Sequence, residues 1–250
     1  MKDIILSKLE EIENKENVKI ILAVESGSRA WGFASKDSDY DVRFVYLRKL
    51  EDYLKLEKSK DTIEWQLDDT LDINGWDLKK ALQLIYDSNP TIFEWLSSPI
   101  IYKNTDTFKE LKEISKNYYS RKKNIYHYLH MATSNYNAYL VKDEVKIKKY
   151  FYVLRPILTA KWIIDKKEQP PMAFSKLVDE ELPLEIKPIV ANLLEKKQES
   201  SKMGTYPKIE ELDNYINKEL ISIKNEAEKV EPIKVDWAPL DKFFYKTIVK

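Results

Sequence analysis

Cysteine is absent from the chain, and only two histidines are present, His127 and His130. A disulfide framework, a thiolate zinc site and a catalytic cysteine are therefore excluded. Any metal must be held by carboxylates, and oxygen donors favour Mg²⁺ or Mn²⁺. Net charge is missing too, since 42 Lys and Arg balance 42 Asp and Glu. A broad grip on nucleic acid needs surplus base, so a local basic patch is the most this balance permits. No run of about 18 apolar residues exists to span a membrane. Residues Met1 to Glu10 read as an amphipathic helix without a signal peptide's long apolar stretch. The expectation is a soluble, cytoplasmic protein. Glycine is scarce, with four in 250 residues, and three of them (Gly27, Gly32 and Gly75) fall in the first third. Each is a candidate for a backbone requirement that other residues cannot meet.

What is present is ample core material: 43% of residues are apolar and 34% are charged. After the opening helix, Val18 to Val24 is a β-branched run suited to a buried strand, and it stops at Glu25-Ser26-Gly27-Ser28. Further strands are expected over 41–47, 62–67 and 71–76, the last two split by a hairpin-like Asp68-Asp69-Thr70. Asp77 reads as the N-cap of a helix over 78–86, and a short helix passes through Phe93 to Leu96. From Asp106 the text is helical, with segments near 106–119, 121–141, 143–166, 173–197 and 207–229. The runs Lys166-Lys167-Glu168 and Glu195 to Glu199 read as solvated helix ends. Two domains are expected, over 1–102 and 103–250.

The informative stretch is Glu25-Ser26-Gly27-Ser28-Arg29-Ala30-Trp31-Gly32-Phe33-Ala34-Ser35-Lys36-Asp37-Ser38-Asp39-Tyr40-Asp41-Val42-Arg43-Phe44. Gly27 directly after a strand allows a tight turn whose amides can approach a phosphate, with the Ser28 hydroxyl beside it. Asp39 and Asp41 are at i and i+2, which on a strand face the same way roughly 6.5–7 Å apart. Two carboxylates so placed repel unless cations sit with them. A phosphate-cradling turn followed by an Asp-x-Asp strand is what phosphoryl or nucleotidyl transfer requires. Asp-x-Asp alone is common at exposed strand ends, and Gly-Ser after a strand is no more specific; the ordered, spaced combination is.

That combination resembles the signature of the DNA polymerase β nucleotidyltransferase superfamily. The fuller text from Gly27 to Phe44 resembles its RlaP-type branch, associated with RNA repair. Asp72-Ile73-Asn74-Gly75-Trp76-Asp77-Leu78, Ser88-Asn89-Pro90 with Glu94, and Lys148 to Pro156 match further, so the likeness covers about residues 18–165. It implies an α/β fold: a small mixed β-sheet nucleotidyltransferase core with flanking helices, plus an all-helical C-terminal domain closing the nucleotide cleft. It also implies NMP transfer from an NTP, with Mg²⁺ or Mn²⁺, to a hydroxyl or phosphate acceptor such as an RNA end. An AMP-transferring modifier of a protein or small molecule and a non-catalytic nucleotide-binding module are the alternatives.

By the resemblance Asp39 and Asp41 bind metal, and a third carboxylate completes the site. Asp72 and Asp77 compete for that role. Asp77 already has a purpose as an N-cap, whereas Asp72 in mid-strand has none, so Asp72 is preferred. Arg29 can reach a phosphate or pair with Asp37 or Glu25, and Arg43 shares strand parity with Asp39 and Asp41 and can neutralise the acidic face. Ser38 reads as a cap for the turn before Asp39, and Trp31 and Phe33 as packing under the turn. Lys148, Tyr152 and Arg155 share a helical face at i, i+4 and i+7, with Lys149 the alternative lysine, as contacts to the nucleotide. A stripe of this kind is otherwise a solvated face. Glu64 and Gln66 share a face near the acids. A patch of Lys142, Lys146, Lys148, Lys149 and Lys161 could hold a short strand of nucleic acid.

Overall fold

The computed structural model describes all residues but 58, 69, 200–204 and 250, with the backbone alone at 66–68 and 198–199. The chain divides into two compact units. One comprises Met1–Ala30, Asp39–Tyr119 and Lys234–Lys250; the other comprises Trp31–Ser38 and Ser120–Ile233.

The first unit is built on a sheet. Helix α1 (Lys2–Glu16) buries Ile5, Leu9 and Ile12, one apolar stripe at helical spacing. It ends at Asn17, whose φ of 50° is left-handed, a conformation Asn tolerates. Strand β1 (Lys19–Glu25), the single turn α2 (Gly27–Ala30), β2 (Tyr40–Leu47), the short α3 (Leu50–Tyr53), β3 (Thr62–Asp68) and β4 (Leu71–Asp77) follow. Then come α4 (Leu78–Tyr86), α5 (Pro90–Ser97), β5 (Ile101–Asn104) and α6 (Asp106–Ser115), which tightens into a 3₁₀ turn over Lys116–Tyr118. The sheet order is β3-β4-β2-β1-β5. Only β2 and β4 run parallel among these neighbours.

The sheet is covered on both faces. α1 packs against Ile20, Ala23, Val42, Phe44, Tyr46 and Ile73 on one side. On the other, Ile21, Leu22, Val24 and Val45 meet Leu78, Ala81, Leu82 and Ile85 of α4, with Phe93, Trp95, Phe108 and Leu111. Consecutive Ile21 and Leu22 reach the same cluster because the register shifts between Ile20 and Leu22, and a bulge breaks the two-residue alternation. The expected α/β class is what the chain adopts. Among the described residues of this unit, the short α3, β5 and the terminal helix α12 (Ala238–Ile248) went unread. β5 has too few residues to signal itself and is defined by pairing with β1. The buried Leu240 and Phe243 of α12 join the cluster under α4, a long-range event invisible to local pattern.

The second unit is helical, with α7 (Arg121–Tyr139), α8 (Ile147–Asp165), α9 (Phe174–Glu181), α10 (Lys187–Glu199) and α11 (Glu210–Glu228). A two-stranded ribbon, β6 (Glu144–Lys146) with β7 (Thr205–Pro207), precedes α8 and α11. The expected helix over 143–166 therefore starts later, at Ile147, after residues that pair as a strand. Pro156 lies inside α8 and cannot donate to the carbonyl four residues back. That carbonyl belongs to Tyr152, and the Asn135 side-chain amide of α7 donates to it instead at 2.9 Å. A sequence-local defect is thus repaired by a neighbouring helix.

The segment 31–38 belongs to this helical unit although it lies in the middle of the informative stretch. Phe33 is buried, with its ring centroid 5.6 Å from Phe151 and 5.3 Å from Phe174. The Phe174 N–H donates to the Trp31 carbonyl at 2.9 Å. Trp31 and Phe33 are packing residues, as expected, but what they pack on is α8 and α9. Lys197 is no solvated helix end: its ammonium donates to the Phe33 carbonyl at 2.7 Å and lies 4.7 Å from that ring's centroid. Burial, with the Lys148 charge beside it, lowers its pKa.

Candidate active site

The first unit gathers the acidic residues by strand register. In the parallel β2–β4 pair, Asp41 stands directly opposite Asp72. Like charges that meet across a ladder destabilise it unless something intervenes. Arg43 intervenes: its Nη2 donates to Asp41 Oδ1 at 3.0 Å and to Asp72 Oδ2 at 2.8 Å. Its Nη1 donates to the carbonyls of Val42 and Asp72, at 3.0 and 3.1 Å. The expected role of Arg43 on the acidic face is thus visible as two hydrogen bonds to carboxylates, with two more to backbone carbonyls that fix the guanidinium.

Gly27 is essential to the same geometry. Its φ is +59°, a region costly for any residue with a side chain. A Cβ at this position would stand 2.0 Å from Asp41 Oδ2 and 2.9 Å from its Cγ. The Asp41 carboxylate therefore lies against the bare backbone of the turn. Burial pushes the Asp41 pKa up, and Arg43 opposes the rise while Asp39 and Asp72 add to it.

Behind Asp41 is a residue that sequence reasoning passed over as a site member. Glu25, the last residue of β1, is fully buried. Its Oε1 accepts the Asp41 N–H at 2.8 Å, and its Oε2 accepts the Tyr102 hydroxyl. Ser26 N–H donates to the Asp41 carbonyl at 2.8 Å, and Ser98 Oγ donates to the Glu25 carbonyl at 2.6 Å. Burial raises the pKa of Glu25, against the Tyr102 and Asp41 hydrogen bonds. One signal was available, a lone carboxylate closing an otherwise apolar strand, where an unpaired charge is costly.

The remaining expected residues fall as follows. Asp39 precedes β2 and is exposed, and its carbonyl accepts Arg29 Nε at 3.0 Å. Arg29 also lies 3.7 Å over the Tyr40 ring, so it braces the entry to β2. Ser28 is half-buried in α2. Ser38 Oγ accepts the Ser35 N–H at 2.9 Å, closing the turn before Asp39. Asp77, at the far end of β4, accepts the Lys79 N–H at 2.8 Å, the bond of an N-cap, and also the Tyr53 hydroxyl at 3.0 Å. Glu64 is exposed on β3; the Gln66 side chain lies outside the described residues.

In the second unit the α8 stripe divides. Lys148 and Tyr152 are exposed, whereas Arg155 is buried, its guanidinium carbon 4.1 Å from the Trp31 ring centroid. Lys149 sits 3.4 Å from the Tyr139 centroid and 4.8 Å from that of Tyr152, a small cation–aromatic cluster. Lys161 is bound to Glu219 at 2.9 Å with both side chains largely covered, so it leaves the expected lysine patch.

The donor chemistry of Asp39, Asp41 and Asp72 fits a hard divalent cation. Among the described residues no three such ligands are yet drawn together around a metal position. Asp41 and Asp72 instead share the Arg43 guanidinium, itself a cation held between two carboxylates.

Comparison with known proteins gives the family. The profile of the RNA repair pathway DNA polymerase beta family, RlaP, matches residues 1–246. The chain belongs to that family. It is accordingly a nucleotidyltransferase of the polymerase β type. YcgL of Bacillus subtilis (strain 168), itself uncharacterized, is 43% identical over 238 residues, covering 94% of this chain and 92% of that one. A crystal structure of a nucleotidyltransferase-like protein from Exiguobacterium sibiricum 255-15 is similar at 14% identity and a TM-score of 0.30, over 90% of this chain and 75% of that chain. That last likeness is too distant to bear on the site. Among the described residues no helix is long and apolar enough to cross a membrane.

Proposed function

We infer that this RlaP-family chain transfers a nucleoside monophosphate from an NTP to the hydroxyl of an RNA end. The acceptor oxygen bonds to the α-phosphorus, the bond from that phosphorus to the bridging oxygen breaks, and pyrophosphate leaves. The observation that carries the reading is the side-by-side placement of Asp41 and Asp72, with the Asp41 carboxylate seated against the Gly27 turn. Asp39, Asp41 and Asp72 would hold Mg²⁺ or Mn²⁺, which supplies charge stabilisation to the attacking and leaving oxygens. Gly27 and Ser28 offer backbone amides to the phosphates. Asp72, the more exposed of the paired carboxylates at 51% against 28%, takes the acceptor's proton. Glu25 holds the Asp41 backbone from behind, so the carboxylate meets its ligand without reorganising.

The test supplies α-labelled ATP, CTP, GTP or UTP with Mg²⁺ and short RNAs bearing defined ends. Label is expected on RNA, with equal pyrophosphate release. Asp41→Asn and Asp72→Asn should each lower the rate at least 100-fold while the protein remains folded by circular dichroism. Label appearing only on protein would replace RNA by a protein acceptor. Undiminished transfer by both variants would sink the reading.

A further inference from the structure

We propose that Arg43 is a built-in counter-ion that sets how tightly the acidic site holds its divalent cation and keeps Asp41 and Asp72 in register when the cation is away. The inference rests on the nucleotidyl-transfer reading but concerns a residue that the reading does not use.

The geometry is specific. Arg43 lies two residues beyond Asp41 on β2, so both side chains emerge from the same face of the sheet. Its fork is committed at both nitrogens: one to the two carboxylates, the other to two backbone carbonyls, one of them that of Asp72. A guanidinium anchored to backbone on both β2 and β4 is positioned by the sheet rather than by the carboxylates alone. Only 17% of the side chain is exposed, so solvent screens its charge less than that of a surface arginine. Lysine could not do the same work, since a single ammonium on a flexible stem lacks the planar fork.

Two consequences follow from charge. Asp39, Asp41 and Asp72 carry three negative charges when ionised; Arg43 offsets one of them in direct contact with two of the carboxylates, and Arg29 acts on Asp41 as well. Three uncompensated carboxylates would attract that cation more strongly but would repel one another when empty. A fixed positive charge within hydrogen-bond reach of two ligands opposes a divalent ion enough to weaken binding tenfold or more. Arg43 is therefore a positioning residue that trades affinity for an exchangeable metal and a preformed pair of ligands.

The experiment uses the full chain and Mn²⁺ alone, without nucleotide, with free Mn²⁺ followed by electron paramagnetic resonance. Arg43→Gln should bind Mn²⁺ at least tenfold more tightly than the native protein and, metal-free, melt several degrees lower. Mn²⁺ should then raise its melting temperature more than it raises that of the native protein. Arg43→Lys, which keeps the charge and loses the fork, should bind Mn²⁺ within about threefold of the native value yet transfer NMP at least tenfold more slowly. This second variant is informative even if the first fails to fold. Equal or weaker Mn²⁺ binding by Arg43→Gln, or Arg43→Lys binding as tightly as expected for Gln, would overturn the role of Arg43 and leave the nucleotidyl-transfer reading standing. A native protein that binds no Mn²⁺ without nucleotide would likewise overturn the role of Arg43, whereas the nucleotidyl-transfer reading falls only with the RNA-labelling assay.

Discussion

The sheet unit and the helical unit handle their charged residues in opposite ways. In the sheet unit, Glu25, Asp41, Arg43 and Asp72 come from three neighbouring strands and form one hydrogen-bonded group. In the helical unit, Lys148, Lys149, Tyr152 and Arg155 come from one helix but do not gather into one group: Lys149 sits with the Tyr139 and Tyr152 rings, Arg155 is buried against Trp31, and Lys148 is exposed. The difference is geometric. Paired strands are about 5 Å apart with side chains alternating every residue, so register alone brings named residues together. Helical spacing assigns residues only to a face, and the neighbouring helices decide what covers it.

The segment 31–38 marks the boundary between these regimes, because it leaves the sheet unit between Gly27 and Asp41 and is held by aromatic packing. Phe33→Ala should give the largest effect. Removing a buried ring from among Phe151, Phe174 and Trp31 is expected to cost about 3–4 kcal/mol, read by chemical denaturation. A loss below 1 kcal/mol would mean that this segment is only loosely held.

Gly27→Ala should act on the other side of the comparison. The added Cβ must displace the Asp41 carboxylate, so NMP transfer should fall about 100-fold, equivalent to about 2.7 kcal/mol of transition-state stabilisation. The left-handed backbone adds only about 1–2 kcal/mol of strain, so a folded protein is expected. Transfer at the native rate would show that Asp41 does not need its place against the turn.

The smallest expected effect is on pH dependence in the helical unit. Glu181 is buried, and its pKa is raised to about 7 by burial, then by its hydrogen bond and repulsion with Asp165, against Lys166 and Lys161. A raised carboxylate contributes stability that is complete below its unfolded pKa, about 4.5, and is lost as pH climbs through 7. Glu181→Gln stays neutral throughout. It should gain about 1 kcal/mol over the native protein at pH 8, after allowance for screening, and close to nothing at pH 4. Equal differences at the two pH values would remove Glu181 as the titrating group.

Much of the sheet unit was legible beforehand, for a physical reason. Gly27 signals a turn because only glycine is at ease at its positive φ, and Asp41 with Arg43 shares a face because strand parity is a local rule. Asp77 was legible as an N-cap because a cap is completed within three residues. Glu25 was not, since its partners Tyr102 and Asp41 lie 77 and 16 residues away. Arg155 was unreadable likewise, since burial against Trp31 requires a segment more than a hundred residues earlier.

From sequence alone came the hard-oxygen donor set, the turn-then-strand order, the α/β class and the exclusion of thiolate chemistry. The donor set, the order and the exclusion depend on residue type or on spacing within a few positions, and the α/β class is what the family resemblance implied. Tertiary structure alone decided that Asp72 rather than Asp77 stands beside Asp41, that Arg43 joins the pair, and that Glu25 supports them. Those facts depend on the register of β2 with β4 and on the ends of β1 and β5, and register is fixed by packing across the whole sheet.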